Sequence, residues 1–339
     1  MSSTPSGDSP TPALFTPLVL RGVTFRNRIV VTPMCQYASV DGFAGRWHRS
    51  HHGRFALGGV GGALLESTGV TADGRITPGC LGIYDDAHIE GLTEIVAIYH
   101  DQHIPVGIQL NHAGRKGSAD VPLDGAAPIA PGDPRGWPLV APSAIALNEN
   151  WPTPRALSGD EIDAIIDAFE AAARRAVAAG FDFVEIHGAH GYLLHSFVSP
   201  IANQRDDAWG GDREGRMRLP VEIAKRLRAA VPADMPIFYR ASVVDGIDGG
   251  LTIDDTIVLA AALRDAGVDL VDCSSGGING ASGNSTVKPH PGYLVPFADR
   301  LRREAGIATM AVGLIVDPGQ ADAVIAEGRA DLVAMGRQL

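Results

Sequence analysis

Apolar positions along the chain follow two alternating patterns. In one they form short, nearly continuous runs, at residues 28–34, 62–68, 106–110, 181–187, 236–242, 269–274, 309–315 and 331–335. In the other they recur at helical spacing, as at Ile89, Leu92, Ile95, Val96 and Tyr99 within 88–102. Further helices are expected at about 47–57, 158–179, 213–230, 253–266, 293–304 and 318–326. Ser158 and Glu161 form a capping box, and Gly180 stops that helix. Asp317 and Pro318 read as N-cap and first helical residue. Buried strands that alternate with helices indicate a parallel sheet covered by helices. Eight such units favour an α/β fold of the (β/α)8 TIM barrel type over an open doubly wound sheet. The first strand-to-helix turn has no G-x-G-x-x-G to support the open sheet.

Around that barrel the pattern changes in three places. Residues 1–13 are rich in Ser, Thr and Pro, carry no targeting signal and are expected to form a disordered tail. The rest, 14–339, reads as one barrel domain that opens with a hairpin about Arg21-Gly22. A Pro-rich, poorly periodic insertion at about 117–157 has the length of a lid or binding loop. The sequence ends at Leu339, shortly after the eighth strand, so the expectation is a barrel lacking its C-terminal helix. Either the sequence is a truncated piece, or something else covers that groove.

Charge and cysteine content narrow the partners. With 28 Lys and Arg against 39 Asp and Glu, the net charge is −11, which disfavours nucleic acid and anionic membranes. No run approaches the ~18 apolar residues of a membrane span. Cys35, Cys80 and Cys273 include no C-x-x-C pair, which argues against a disulfide framework and a zinc knuckle. A reduced, cytoplasmic setting is the simplest reading.

The chemistry gathers around the run Phe183-Val184-Glu185-Ile186-His187-Gly188-Ala189-His190-Gly191-Tyr192. An apolar strand ends there in two histidines and a tyrosine, and in a TIM barrel that end of a strand carries the chemistry. Other strand ends supply Cys35, Ser67, Gln109, Arg240 and Gly336-Arg337. This set lacks paired carboxylates for glycoside chemistry and an evident Ser-His-Asp arrangement. Neutral donors with one cation suit a planar, polar cofactor and a polarised carbonyl. Gly313, Gly336 and Arg337 are placed for phosphate, though ordinary strand-end glycines read the same way. His187, His190 and Glu185 also leave open a zinc-dependent hydrolase on the same barrel. Cys35 could be a small hydrophobe, and Arg240 needs an anionic partner to be inside.

Several motifs, in order, resemble the old yellow enzyme family of FMN-dependent ene-reductases. They resemble most its bacterial branch with a cysteine beside the flavin, which includes xenobiotic reductases and NADPH dehydrogenases. The matching pieces are Asn27-Arg28-Ile29-Val30 through Pro33-Met34-Cys35-Gln36-Tyr37, Gly74-Arg75-Ile76-Thr77, Gln109-Leu110-Asn111-His112-Ala113-Gly114-Arg115-Lys116 and Ala141-Pro142-Ser143. They continue with Glu185 to Tyr192, Ser199-Pro200, 203–216, Val271 to Gly276, and Gly336-Arg337. Trp209 and Gly215 depart from the usual Tyr and Asn.

The resemblance implies a tightly but non-covalently bound FMN, reduced by NADPH or NADH. It implies that Thr32, Pro33, Met34, Cys35 and Ser67 line the flavin. Gln109 and Arg240 would meet its pyrimidine edge, and Gly313, Gly336 and Arg337 its phosphate. His187 and His190 would hold a substrate carbonyl oxygen, Tyr37 would help bind the substrate, and Tyr192 would donate the proton. The implied substrate is a small enone-type molecule, with nitroalkenes and quinones as further acceptors. A dienoyl-CoA reductase-like enzyme is disfavoured, because its iron–sulfur segment and second dinucleotide domain are missing. An FMN-binding piece with little activity stays open, as does a homodimer or homotetramer.

Overall fold

The structure is a computed structural model that describes residues 11–279 and 287–339. Most of the tail expected at 1–13 therefore lies outside the described residues. The chain opens with β1 (Leu18–Leu20) and β2 (Val23–Phe25), an antiparallel hairpin that turns at Arg21, whose φ is +49°. Then follow β3 (Ile29–Val31), α1 (Arg46–Leu57), β4 (Gly62–Gly69), α2 (Ile89–His100) and β5 (Val106–Asn111). The stretch 117–157 contains only a short 3-10 turn and the two-residue strands β6 (Val140–Ala141) and β7 (Arg155–Ala156). Next come α3 (Gly159–Ala178), β8 (Phe183–Gly188), α4 (Leu193–Val198), α5 (Arg213–Ala230) and β9 (Ile237–Ser242). The chain continues through α6 (Ile253–Asp265), β10 (Leu270–Ser274), α7 (Val295–Glu304), β11 (Ala308–Ala311), α8 (Pro318–Ala326) and β12 (Leu332–Met335).

Strands β3, β4, β5, β8, β9, β10, β11 and β12 pair in parallel in that order, and β12 closes back on β3. The closed (β/α)8 barrel expected from the strand count is therefore the fold. The helices dock by the stripes read from the sequence. In α3, Ile162, Ile165, Ile166, Phe169, Ala172, Ala173 and Ala176 are all buried, one face of a 3.6-residue period. Ser158 caps that helix, with its Oγ accepting from Glu161 N and its own N–H donating to Glu161 Oε2.

Alternation along the strands divides the barrel lumen into levels. Near the N-terminal ends, Val30, Leu64, Phe183, Phe238, Leu270, Met310 and Leu332 form an apolar floor, and Phe25 of the hairpin plugs it. The Phe25 ring stands edge-on to Phe183 at 5.5 Å between centroids. Two residues further along, β8, β9 and β10 place Glu185, Arg240 and Asp272 inside, with Gln109 beside Glu185 on β5. Next on the same faces come His187, Ser242 and Ser274. The lumen thus runs from apolar to polar toward the C-terminal mouth.

Two local readings are corrected. The strand expected at 309–315 ends at Ala311, because Gly313 (φ +113°) and Leu314 (φ +51°) cannot continue an extended strand. The loop after β8 also contains a helix, α4, too short to leave a periodic signature. Among the described residues no helix is long and apolar enough to cross a membrane.

Candidate active site

The C-terminal end of β8 places His187, His190 and Tyr192 in one cluster. The ring of His187 lies 5.1 Å from that of His190 and 5.0 Å from that of Tyr192. The turn between them is sharp, with φ +60° at His190 and +76° at Gly191. A side chain at Gly191 would also collide with the Gly277 carbonyl, 2.2 Å from where its Cβ would stand. The Ala189 N–H donates to His187 Nδ1 at 3.2 Å. Since a backbone N–H can only donate, Nδ1 carries no proton, and the neutral ring must carry it on Nε2. Burial, reinforced by the Arg240 charge, pushes the His187 and His190 values well below the usual histidine range, so both rings are neutral. His190 Nε2 shares a hydrogen bond of 2.6 Å with Ser274 Oγ. Burial raises the Tyr192 phenol well above its ordinary value, with Cys35 next in effect, so it keeps its proton.

The opposite wall is the segment after β3. Cys35, Tyr37 and Tyr192 pack together on Ile76, Cys80 and Ala113. Burial, with Cys80 and Glu66 adding to it, raises the Cys35 thiol well above the usual thiol range. It is therefore a neutral thiol. A bulge in β4 between Leu65 and Ser67 reaims Glu66. Its Oε2 accepts from Gln36 N at 2.5 Å and its Oε1 lies 3.1 Å from His48 Nε2 of α1. Glu66 thus fixes the backbone that carries Cys35 and Tyr37.

Below these groups, Gln109 Nε2 donates to Glu185 Oε1 at 2.8 Å, and Arg240 Nε lies 3.1 Å from Asp272 Oδ2. Arg240 therefore has the anionic partner its burial requires. The phosphate candidates lie across the β11–β12 ends, where a cleft of about 280 Å³ is lined by Thr32, Met34, Tyr293, Gly313, Gly336 and Arg337 among others. Thr32 Oγ1 there is buried without a partner. The N-terminus of α8 is already occupied, since Asp317 accepts from Gln320 N. A roomier cleft of about 460 Å³ within 118–155 contains none of the residues singled out from the sequence.

Three elements escaped the sequence reading. Lys116, last in the motif Gln109 to Lys116, donates from Nζ to the His190 carbonyl at 2.6 Å and the Gly277 carbonyl at 3.2 Å. It also lies 5.1 Å from the Tyr192 ring centre. Burial, then Arg115, lowers its ammonium to about 8. His195 of α4 accepts from Gly191 N at 2.8 Å through Nδ1 and donates from Nε2 to Asp245 Oδ1 at 2.8 Å. Ser199 Oγ donates to Asp245 Oδ2 at 2.6 Å. The aspartate stands between serine and histidine, so this is a brace for the turn and gives the serine no base. The third is Glu66, which alternation from Leu64 would point into the lumen and which the bulge instead turns toward His48 of α1 and the Gln36 backbone. For the zinc alternative, no three His, Cys, Asp or Glu side chains gather as ligands among the described residues. Of the two departures in 203–216, Gly215 has a steric reason: a Cβ there would stand 2.0 Å from the Gly210 carbonyl.

Comparison with known proteins identifies relatives of this chain and of its fold. Residues 13–339 match the family described as NADH:flavin oxidoreductase / NADH oxidase. An NADPH dehydrogenase of Geobacillus thermodenitrificans (strain NG80-2) is 44% identical over 328 residues, covering 96% of this chain and 90% of the relative. The structure of morphinone reductase superposes with a TM-score of 0.80 at 27% identity, over 96% of this chain and 86% of that one. A 2-naphthoyl-CoA reductase in complex with 2-naphthoyl-CoA superposes with a TM-score of 0.86 at 25% identity, and the chain spans 50% of its length.

Proposed function

The chain belongs to the NADH:flavin oxidoreductase / NADH oxidase family, and we propose that it is an FMN-dependent reductase of activated C=C bonds, in α,β-unsaturated carbonyl compounds and the related nitroalkenes and quinones. NADPH or NADH is the reductant. The observation that carries the reading is the neutral His187, with its proton on Nε2, beside His190 and Tyr192 at the mouth of a lumen that holds Gln109 and Arg240.

The residues present fit FMN. Thr32 Oγ1 is a buried hydroxyl without a partner in the cleft lined by Gly313, Gly336 and Arg337, which suits a phosphate or ring oxygen. Bound there, FMN would supply hydride transfer from the nicotinamide to an electrophilic carbon. Gly313, Gly336 and Arg337 hold its phosphate. Gln109 and Arg240 serve the pyrimidine edge, where a fixed cation stabilises negative charge. Thr32, Pro33, Met34, Cys35 and Ser67 would line the ring, and a neutral Cys35 thiol beside it would add no charge.

His187 and His190 donate to the acceptor oxygen of the substrate, as an oxyanion hole does. Each donor is worth about 3 kcal/mol of barrier. For His190 to donate from Nδ1, Ser274 must give its hydroxyl proton to Nε2, a role its 2.6 Å contact allows. Tyr192 holds the proton that the α-carbon receives. Tyr37 supports the substrate from the opposite wall. The uncharged thiols Cys35, Cys80 and Cys273 suit a reduced, cytoplasmic setting. A homodimer or homotetramer is the assembly in keeping with the family resemblance.

The test is the double variant His187→Ala, His190→Ala. Bound FMN and its reduction by NADPH should persist, while turnover of 2-cyclohexenone falls at least ~100-fold. Unchanged turnover would overturn the assignment.

A further inference from the structure

The lumen holds two carboxyl groups and one guanidinium that the mechanism above leaves unbalanced. Glu185 and Asp272 have no solvent exposure, and Arg240 is 8% exposed. Asp272 is the carboxyl nearest Arg240, 3.1 Å from Nε. Glu185 receives only the Gln109 amide on Oε1, and its Oε2 is buried without a partner. Among the described residues, Arg240 is the cation that acts on both acids, and the lumen around and below them is apolar or uncharged. On the lumen side of their strands, β3, β4, β11 and β12 contribute apolar or uncharged residues such as Val30, Leu64, Met310 and Ala334. Phe183 lies below Glu185 on its own strand, and the neutral His187 lies above it. With both acids ionised, the cluster would carry an uncompensated negative charge in a dry interior, which is strongly unfavourable. One retained proton makes it neutral.

We propose that Glu185 and Asp272 share a single proton in the barrel lumen, and that this proton sets how much positive charge Arg240 offers to bound cofactor. The second half rests on the FMN reading above; the first does not. Burial, then the Asp272 charge, pushes the Glu185 carboxyl up to about 8, and Asp272 is raised as well, by burial. With the proton present, Arg240 is countered by one carboxylate; with the proton lost, by two. Reduction of FMN to its anion consumes two electrons and one proton, delivered together as a hydride. Negative charge arriving near Arg240 makes the carboxyl pair bind its proton more tightly. Just above the pair's titration point in the oxidised protein, reduction therefore draws a second proton, from water, onto the pair.

Two measurements test this. In the cofactor-free protein, infrared spectra at pH 7 should show the C=O stretch of a buried protonated carboxyl that disappears as pH rises through about 8. Glu185→Gln and Asp272→Asn should each abolish it, because the remaining acid is then neutralised by Arg240. In the FMN-loaded protein, the slope of midpoint potential against pH should double within that window. In Glu185→Gln it should stay single throughout, with the potential above the window raised. A merely structural Glu185 would not alter that slope. No protonated carboxyl band in the cofactor-free protein would overturn the shared proton, and identical slopes in both proteins would overturn its link to Arg240. Failure to bind FMN would instead contradict the cofactor reading, and the infrared result would still decide the proton.

Discussion

Replacing Asp245 with asparagine should loosen the turn that carries His190 and Tyr192. Asp245 is 2% exposed and accepts from His195 Nε2 at 2.8 Å, Ser199 Oγ at 2.6 Å and Leu251 N at 2.7 Å. Asparagine keeps one acceptor oxygen and turns an NH2 toward at least one of those donors. Losing a charge-assisted bond and leaving a buried donor unmatched should cost about 3 kcal/mol. Gly191 N donates to His195 Nδ1 only while the imidazole proton sits on Nε2, and Asp245 is the acceptor that keeps it there. The strained φ of His190 depends on that bond and on Lys116. Urea denaturation would measure the stability loss, and nitrogen NMR of the histidines would report the tautomer of His195. The pH dependence adds a sign. Burial opposes ionisation of Asp245, but its attraction to the His195 Nε2–H and the hydrogen bonds from Leu251 and Ser199 outweigh it and hold the carboxyl below its usual range. Its contribution is present above the unfolded carboxyl value and is lost as pH falls through the lower folded one. The gap between the two proteins should therefore be widest near neutrality and shrink in acid. An asparagine variant as stable as the parent at pH 7, with an unchanged His195 tautomer, would refute this reasoning.

Phe25→Ala should remove the plug of the barrel floor and cost about 3–5 kcal/mol in urea unfolding, since the ring is fully buried against Phe183 and Phe238; a loss under ~1 kcal/mol would mean that the hairpin does not hold the barrel. Because Cys35 is a neutral thiol, iodoacetamide at pH 8 should label it at least ~10-fold more slowly than a free cysteine. Labelling as fast as glutathione, read by mass spectrometry, would contradict that.

Much of the barrel was legible because its signals are local and repeated. Continuous apolar runs such as Phe183 to Ile186, and the stripe of Ile162, Ile165, Ile166 and Phe169, each announce their element without knowledge of its neighbours. The positions of His187 and Arg240 followed from the same logic, since each sits toward the C-terminal end of its strand. What stayed hidden depends on contacts between distant segments. The brace of His195 with Asp245 spans 50 residues, and Lys116 reaches His190 across 74. Glu66 faces the Gln36 backbone only because β4 bulges at that point. The early end of β11 comes from backbone conformations at Gly313 and Leu314 that the apolar run Ala311-Val312 disguised. Alternation along single strands placed Glu185 inward but gave no sign of Asp272, because the two are brought near each other by the pairing of β8 and β10 with β9.

The account is tested most directly by the anaerobic absorption spectrum of the FMN-loaded protein, recorded before and after NADPH and again after 2-cyclohexenone. It predicts a flavin band that NADPH bleaches and the enone restores. A protein that stays colourless with added FMN, or a band that NADPH leaves intact, would contradict it.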